Sequence, residues 1–333
     1  MTVRERFLNV MDFKMSGDRL PMVEWAWWWE KTHNRWKSEG LSENLTGEDL
    51  FSYFGLDELV CLFAGGFSYE CPKSPAYHGA PIIYNKKDYE EILPYLFNDK
   101  LIKNCKDDAY KLKERHERGE IIVRLWLDGF FWFPRKLLGI ENHLFAFYDE
   151  PDLMHRMNKG LAEFGLRVME EVFKIITPDM VGFAEDMSYN HGPMVSREMF
   201  AEFLAPYYKI LIPFIKERGV KVLVDSDGDV TELLPRFLEL GMDGIYPLER
   251  QAGVDIAELR KKYPKLLMMG AYDKMVMSKG EVEMRTEFER LLPVMRQGGF
   301  IPSVDHQTPP EVSLENYRTY LRLFKEYCAK AVR

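Results

Sequence analysis

The chain has 333 residues, of which 46% are hydrophobic, 14% aromatic and 29% charged, a profile that excludes disordered, collagen-like and coiled-coil proteins. Its 45 Lys and Arg and 53 Asp and Glu residues give a net charge of −8, and no stretch is rich in basic residues. This balance argues against binding nucleic acid or an anionic membrane surface, and it favours small molecules or proteins as partners.

Cysteine content and apolar patterning indicate the compartment. The four cysteines are too few and too scattered for a disulfide framework, and none forms a Cys-x-x-Cys pair. Residues 1–21 are charged throughout, and no later run of about 18 apolar residues occurs. We therefore expect a cytoplasmic protein with no signal peptide and no membrane span. The sequence does not fix the oligomeric state, and a homodimer is compatible with it.

Short β-branched or aromatic segments alternate with longer helical patterns along the chain. Eight segments have the composition of strands: Leu20–Trp25, Glu58–Phe63, Ile121–Leu127, Met180–Ala184, Lys221–Val224, Gly244–Pro247, Leu266–Gly270 and Gly299–Ser303. The longest helical patterns cover Pro151–Ile176, Ser196–Arg218 and Ser313–Val332. This alternation predicts an α/β fold, and eight strands favour a closed TIM (β/α)8 barrel over an open doubly wound sheet.

The segment after the second predicted strand is less regular, because residues 68–93 carry Pro72, Pro75, Gly79 and Pro81. We predict an irregular and helical insertion over residues 68–118. No linker composition divides the chain. The sequence therefore predicts one barrel domain over residues 1–333, with an N-terminal helical extension.

The residues that follow the later strands are unusually polar. They are Glu185-Asp186, Asp225-Ser226-Asp227-Gly228, Glu249, Tyr272-Asp273-Lys274 and Asp305-His306. Tryptophans and phenylalanines accompany the first and third strands: Trp25, Trp27, Trp28, Trp29, Trp126, Phe130, Phe131 and Trp132. Because the carboxyl ends of barrel strands meet at one face, we predict a carboxylate-and-histidine centre beneath an aromatic-lined mouth.

Several motifs occur in a fairly specific order and cover nearly the whole chain. They are Arg4-Glu-Arg-Phe7, Asp18-Arg-Leu-Pro21, Gly270-Ala-Tyr-Asp273, Gly298-Gly-Phe-Ile-Pro-Ser-Val-Asp-His306, Pro309-Pro310 and Leu314-Glu-Asn316. With these motifs the sequence resembles the uroporphyrinogen decarboxylase superfamily, and specifically its corrinoid-dependent methyltransferase branch. Within that branch it is most similar to the methyltransferase component of O-demethylase systems.

The chain departs from two patterns of this superfamily. The decarboxylase grips substrate carboxylates with an arginine-bearing segment after its first strand, whereas this chain reads Met22-Val-Glu-Trp-Ala-Trp-Trp-Trp29, which argues against a porphyrinogen substrate. Thiol-methylating members hold zinc with His-x-Cys after the fifth strand and Cys after the eighth. Those places read Asp225-Ser226-Asp227 and His306 here. Without thiolate ligands a zinc ion is a stronger Lewis acid, suited to a leaving oxygen.

The resemblance implies a zinc-dependent enzyme that moves a methyl group from a methoxylated aromatic compound to the cobalt(I) of a corrinoid (cobalamin) on a separate protein. The implied metal ligands are Asp225, Asp227, Glu249 and His306. We predict catalytic roles for Glu185, Asp186, Tyr272 and Asp273. We predict substrate contacts from Trp25, Trp27, Trp29, Trp126, Trp132 and His191.

Structural roles compete with several of these assignments. Asp227 has the setting of a turn residue, Asp273 that of a helix N-cap, and Glu185 and Asp186 that of ion-pair partners at the barrel rim. Three other functions also stay open: a metal-free decarboxylase of a small or aromatic acid, a non-catalytic protein that docks a corrinoid domain, and a glycosidase with paired carboxylates.

Overall fold

The computed structural model describes residues 1–15, 17–45, 47 and 49–333. Its main sheet has seven parallel strands in chain order. These strands are β1 (Leu59–Ala64), β2 (Ile122–Asp128), β3 (Met180–Ala184), β6 (Lys221–Asp225), β7 (Gly244–Tyr246), β8 (Leu267–Tyr272) and β9 (Phe300–Val304). A separate antiparallel hairpin pairs β4 (Ser188–Tyr189) with β5 (Gly192–Pro193). Seven of the eight predicted strands are therefore confirmed, with ends that shift by a residue or two.

The prediction of a strand over Leu20–Trp25 is wrong, although this segment runs between the two edges of the sheet. Its backbone makes isolated contacts instead of a strand ladder. Met22 exchanges hydrogen bonds with Asp57, just before β1, and the Trp25 amide donates to Ser303 Oγ of β9 at 3.3 Å. The fold is a curled, barrel-like α/β sheet in which an extended segment lies between β9 and β1.

Helices follow most strands and pack outside the sheet. The α-helices are α1 (Val3–Met11), α2 (Glu30–Ser38), α3 (Asp49–Phe54), α4 (Lys86–Ile92), α5 (Asp99–Glu117), α6 (Trp132–Leu138), α7 (Ile140–Asp149), α8 (Pro151–Val172), α9 (Arg197–Met199), α10 (Ala205–Lys216), α11 (Leu234–Glu239), α12 (Ile256–Lys262), α13 (Glu281–Met295) and α14 (Leu314–Ala331). A π-helical turn, Phe200–Leu204, joins α9 to α10, and 3₁₀ helices cover Leu93–Tyr95, Arg250–Ala252 and Lys274–Lys279. Helix α1 lies in the predicted N-terminal extension, whereas α2 and α3 lie between the Leu20–Trp25 segment and β1.

Burial of the strands follows from this layering. Every residue of β3, β8 and β9 is buried, as expected for parallel strands covered by helices. All seven strands of the main sheet point the same way, so the residues after them share one end of the sheet. All four cysteines are free thiols. No helix in the described ranges has both the length and the apolar character needed to cross a membrane.

Candidate active site

Four side chains at the carboxyl ends of β3, β6 and β9 form what we call the acid–imidazole cluster: Asp186, Asp225, Asp227 and His306. His306 Nε2 lies 3.5 Å from Asp227 Oδ2. The Asp227 amide donates to Asp186 Oδ1 at 3.4 Å, and the Asp225 carbonyl accepts from the amide of Glu185 at 2.8 Å. The sequence predicted this convergence, which follows from the parallel strand order.

Three residues of the cluster have raised pKa values. Burial, with a smaller contribution from Asp186, raises the pKa of Asp225 to about 8. Burial and the neighbouring Asp227 carboxylate raise the pKa of Asp186 to about 6. The hydrogen bond to Asp227 raises the pKa of His306. A protonated Asp225 near an imidazole whose pKa is raised is an arrangement suited to general-acid chemistry.

A buried arginine lies beneath this cluster. Arg124 of β2 is 6% exposed, and its guanidinium lies 5.5 Å from the Tyr246 ring centroid. Among the described residues, neither Nε nor Nη1 of Arg124 has a hydrogen-bond partner, and the same holds for the Tyr246 hydroxyl. Sequence reasoning missed both. The available signal was an arginine within the apolar run Ile122-Val-Arg-Leu-Trp-Leu127, where an unpaired buried charge is costly.

Two of the predicted substrate-binding tryptophans lie against the cluster. Trp25 donates from Nε1 to the Val304 carbonyl at 2.8 Å, and its ring is edge-on to the His306 ring at 6.1 Å. Trp126 places its Nε1 3.4 Å from Asp225 Oδ2. These contacts put one indole at the histidine and another at the buried carboxyl.

Beside Trp126 opens a cavity of about 370 Å³, which we call the aromatic cavity. Its walls come from β1, β2, α6 and the irregular segment after β1, and include Phe63, Tyr69, His78, Trp126, Trp132, Arg135 and Lys136. None of the described residues that line it is acidic. The cavity is therefore aromatic and cationic, and Trp126 is a wall that it shares with the acid–imidazole cluster.

The two cations of the cavity are held in place. Lys136 Nζ pairs with Asp128 Oδ1 at 2.9 Å, so its charge is largely balanced. Arg135 donates from Nη1 to the Asp186 carbonyl at 2.9 Å, and its guanidinium lies 5.3 Å from the Trp132 ring centroid. Arg135 leaves a net positive charge at the cavity wall, since its hydrogen bond is to a neutral carbonyl.

A lysine adjoins the cluster on its other side. Lys274 Nζ lies 3.4 Å from Glu249 Oε1 and 3.4 Å from Asp305 Oδ1. Glu249 Oε2 accepts from the Gly228 amide at 3.0 Å, and Asp305 Oδ2 accepts from the Arg250 amide at 3.0 Å. We call Glu249, Lys274 and Asp305 the lysine network.

The four residues predicted to bind zinc do not fit a zinc centre as they lie. Only Asp227 and His306 face each other. Glu249 is paired with Lys274, and Asp225 faces Trp126. Across the described ranges, no three His, Cys, Asp or Glu side chains are grouped closely enough to hold a metal ion. We therefore derive no chemical step through zinc.

Glu185 was predicted to be catalytic, but its carboxylate is engaged at the start of α6. Its Oε1 accepts from the Phe130 amide at 2.9 Å, and its Oε2 accepts from the Phe131 and Trp132 amides at 2.8 and 3.0 Å. The Tyr208 hydroxyl donates to Oε1 as well. This arrangement gives Glu185 a structural role, which is to anchor the loop that carries Trp132 into the aromatic cavity.

The other predicted catalytic residues, Tyr272 and Asp273, face away from the cluster. The Tyr272 ring packs against Phe288 of α13, at 4.6 Å between centroids. Asp273 Oδ1 accepts from the Met275 amide at 2.9 Å and from Gln251 Nε2 at 2.7 Å. Asp273 therefore caps the short helix that follows, which was its structural alternative.

Three predicted substrate contacts lie outside the cluster and the aromatic cavity. Trp27 is 44% exposed and packs edge-on to Phe51. Trp29 is also exposed, at the start of α2. His191 is exposed on the β4–β5 hairpin, where its ring meets Tyr189. Within the described ranges, no hydrogen bond, ion pair or ring contact joins these side chains to the four cluster residues.

A further buried acid was not predicted. Glu24 is 1% exposed and accepts from Ser303 Oγ at 2.8 Å, and burial raises its pKa to about 7. It lies behind Trp25, on the segment between β9 and β1. The signal in the sequence was an acid within the apolar run Leu20-Pro-Met-Val-Glu-Trp25.

A family match covers the segment of the chain that contains the acid–imidazole cluster. The model of the family described as Uroporphyrinogen decarboxylase (URO-D) matches residues 135–327, which is more than half of the chain. The chain belongs to this family. Within the URO-D family match lie Asp186, Asp225, Asp227 and His306. No curated protein sequence gives a significant match.

A solved structure shows the same fold over almost the full length. A methyltransferase from Methanosarcina mazei superposes with a TM-score of 0.64 over 98% of this chain and 99% of that chain, at 12% identity. A B12-independent methionine synthase from Shewanella sp. W3-18-1 is less similar, with a TM-score of 0.45 over 68% of this chain and 66% of that chain, at 14% identity. At such identities the first likeness shows the fold, and the chemistry must be argued from the site.

Proposed function

We propose that this URO-D family chain transfers a methyl group from a methoxylated aromatic acid to the cobalt of a corrinoid held by a separate protein. The observation that carries the proposal is that the acid–imidazole cluster adjoins an aromatic, cationic cavity, whose wall residues Trp126 and Arg135 contact Asp225 and Asp186. The fold shared with the Methanosarcina methyltransferase is compatible with it.

The aromatic cavity supports an aromatic substrate with a negative charge. Its volume falls in the range typical of small-molecule sites, and flat rings pack against Trp126, Trp132 and Phe63. Arg135 offers the substrate carboxylate a planar guanidinium that is already fixed by Trp132 and the Asp186 carbonyl. A ring bound there by its acid end directs its methoxy end past Trp126 towards the cluster.

The reaction transfers a methyl group and needs a proton. When bound, a corrinoid supplies cobalt(I), a nucleophile that takes the methyl carbon. The bond between that carbon and the ether oxygen breaks, and the oxygen keeps the electron pair. His306, whose pKa the hydrogen bond to Asp227 raises, donates a proton to this oxygen from Nδ1, the ring nitrogen that does not face Asp227. The products are a phenol and a methylated corrinoid.

The rim of the site fits a large flat partner. Phe63 is 62% exposed at the end of β1, and Tyr69 is fully exposed on the segment that follows. Both also line the aromatic cavity. A macrocycle presented by a partner protein would cover these rings and exclude water from the cavity.

Decarboxylation is the second candidate, and the family match favours it. Arg124, with two unpaired N–H groups, is suited to a carboxylate that enters the cluster, and His306 could then protonate the carbanion left by CO2. A test for released CO2 separates this candidate from methyl transfer. If neither CO2 nor a methylated corrinoid forms, a docking protein without catalytic activity is favoured.

The test combines purified chain, cobalamin reduced to cobalt(I), and 4-methoxybenzoate, with methylcobalamin and 4-hydroxybenzoate as the measured products. We expect both products in equal amounts, and about 10- to 100-fold weaker substrate binding in Arg135→Met, the effect of losing a charged hydrogen bond. Anisole, which lacks the carboxylate, is the matched ligand, and its binding should not change. The proposal would be contradicted if no methylated corrinoid forms in either of two assays, one with free cobalamin and one with an active corrinoid protein.

A further inference from the structure

The positively charged side chain of Lys274 lies among the residues predicted to bind zinc. Lys274 Nζ lies 3.4 Å from Glu249 Oε1 and from Asp305 Oδ1, and the lysine side chain is only 13% exposed. Glu249 is one of the predicted ligands, and Asp305 directly precedes His306, another one. We propose that Lys274 is the resident cation of this site and that the site holds no divalent metal ion.

In the lysine network, each carboxylate oxygen of Glu249 and Asp305 accepts at least one hydrogen bond. Glu249 uses one oxygen for Lys274 and the other for the Gly228 amide. Asp305 Oδ1 accepts from both the Lys274 amide and its ammonium, and Oδ2 accepts from the Arg250 amide. A metal ion would have to displace these donors and also overcome repulsion from a partly buried ammonium.

Lys274 also positions the turn that carries His306. Its backbone and its side chain both hold Asp305, one residue before the histidine. Glu249 and Asp305 face Lys274, whereas Asp227 faces His306, with 3.5 Å between Asp227 Oδ2 and His306 Nε2. The lysine therefore fixes the residue before His306 through its own hydrogen bonds, in the place where a metal ion would otherwise organise the turn.

The test is metal content, which does not depend on methyl transfer being the reaction. Wild type, Lys274→Met and Lys274→Arg are incubated with zinc, dialysed against metal-free buffer and analysed for zinc per chain. Lys279→Met is the matched control, because Lys279 is exposed at the end of the same short helix. The zinc-induced change in Tm is recorded for each protein.

We expect wild type, Lys274→Arg and Lys279→Met to retain no stoichiometric zinc. Lys274→Met should bind zinc about 100-fold more tightly than wild type, through Asp227, Glu249 and His306. The added His306→Ala substitution should abolish this gain. Zinc should then raise the Tm of Lys274→Met alone.

Two results would overturn the inference. One is stoichiometric zinc in the wild type that is lost in His306→Ala, because the site would then hold a metal despite its lysine. The other is a Lys274→Met protein that binds zinc no better than wild type. If Lys274→Met does not fold, Lys274→Gln replaces it, and the wild-type measurement alone still decides the first point. Failure of methyl transfer, by contrast, would bear only on the proposed function.

Discussion

Replacing Asp225 with Asn should stabilise the protein. Burial raises the pKa of Asp225 to about 8, whereas the unfolded chain ionises near 3.8. At pH 7 this carboxyl must therefore take up a proton when the chain folds. Each pH unit between 3.8 and 7 lowers the free energy of unfolding by 1.36 kcal/mol, which gives a cost of up to about 4 kcal/mol. Asn is neutral at every pH, and its carbonyl oxygen can still accept from Trp126 Nε1.

The sign of the pH dependence follows from the raised pKa. The stability that Asp225 contributes is complete below pH 3.8 and is lost as the pH rises to about 8. The Tm difference between Asp225→Asn and wild type should be near zero at pH 4, grow with pH, and level off above pH 8. The cost of up to about 4 kcal/mol at pH 7 corresponds to a Tm difference of up to about 6 °C for a chain of 333 residues.

Scanning calorimetry of both proteins between pH 4.5 and 8.5 measures this difference. The buried Arg124 guanidinium opposes the effect of burial, because it lowers the pKa of Asp225. The experiment therefore distinguishes a protonated Asp225 from an ionised one. If Asp225 were an ionised partner of Arg124 in the folded protein, Asn would leave a buried cation unpaired and destabilise the fold. A Tm below that of wild type at pH 7 would therefore refute the reasoning.

Three other substitutions test the site and its scaffold. Asp227→Asn should lower the pKa of His306, measured by NMR titration of the imidazole, because the hydrogen bond to Asp227 raises it; an unchanged midpoint would contradict the pairing. Glu185→Gln should lower the free energy of unfolding by about 2 kcal/mol, because the NH2 group of Gln would face the amide donors at the start of α6. An unchanged Tm would show that the hydrogen bonds to Glu185 contribute little. Gly270→Ala should cost at least about 3 kcal/mol, because its φ is +105° and a Cβ would lie 2.1 Å from the Pro247 carbonyl oxygen. Gly219→Ala is its control, with φ +71° and nothing within 4 Å, so a similar loss in both would exclude the steric explanation.

The sequence was sufficient for the order of the strands and for the acids that follow them. Alternating segments fix which residues end a strand, and parallel strands bring Asp186, Asp227 and His306 to one side. It was insufficient for Leu20–Trp25, because composition does not reveal whether an apolar segment finds ladder partners. Here Asp57 and Ser303 supply side-chain oxygens to its backbone instead.

Side-chain direction accounts for the remaining differences at the site. Tyr272 and Asp273 follow a strand as Asp227 does, but Tyr272 packs against α13 and Asp273 caps a helix. Glu185 points into the amides of α6, and Glu249 points to Lys274. Such choices depend on partners that are distant in sequence, so spacing alone could not reveal them. The same limit applies to Arg124, because a single charged residue in an apolar strand does not reveal what its side chain faces.

The most direct test of the account is the pH dependence of methyl transfer from 4-methoxybenzoate to cobalt(I) cobalamin, in wild type and in His306→Gln. The wild-type kcat should fall as the pH rises through the raised pKa of His306, because the imidazolium supplies the proton. His306→Gln should lose about 10²- to 10⁴-fold in kcat, with binding of 4-methoxybenzoate unchanged. A His306→Gln enzyme with the wild-type kcat and pH profile would contradict the assignment of His306 as the acid.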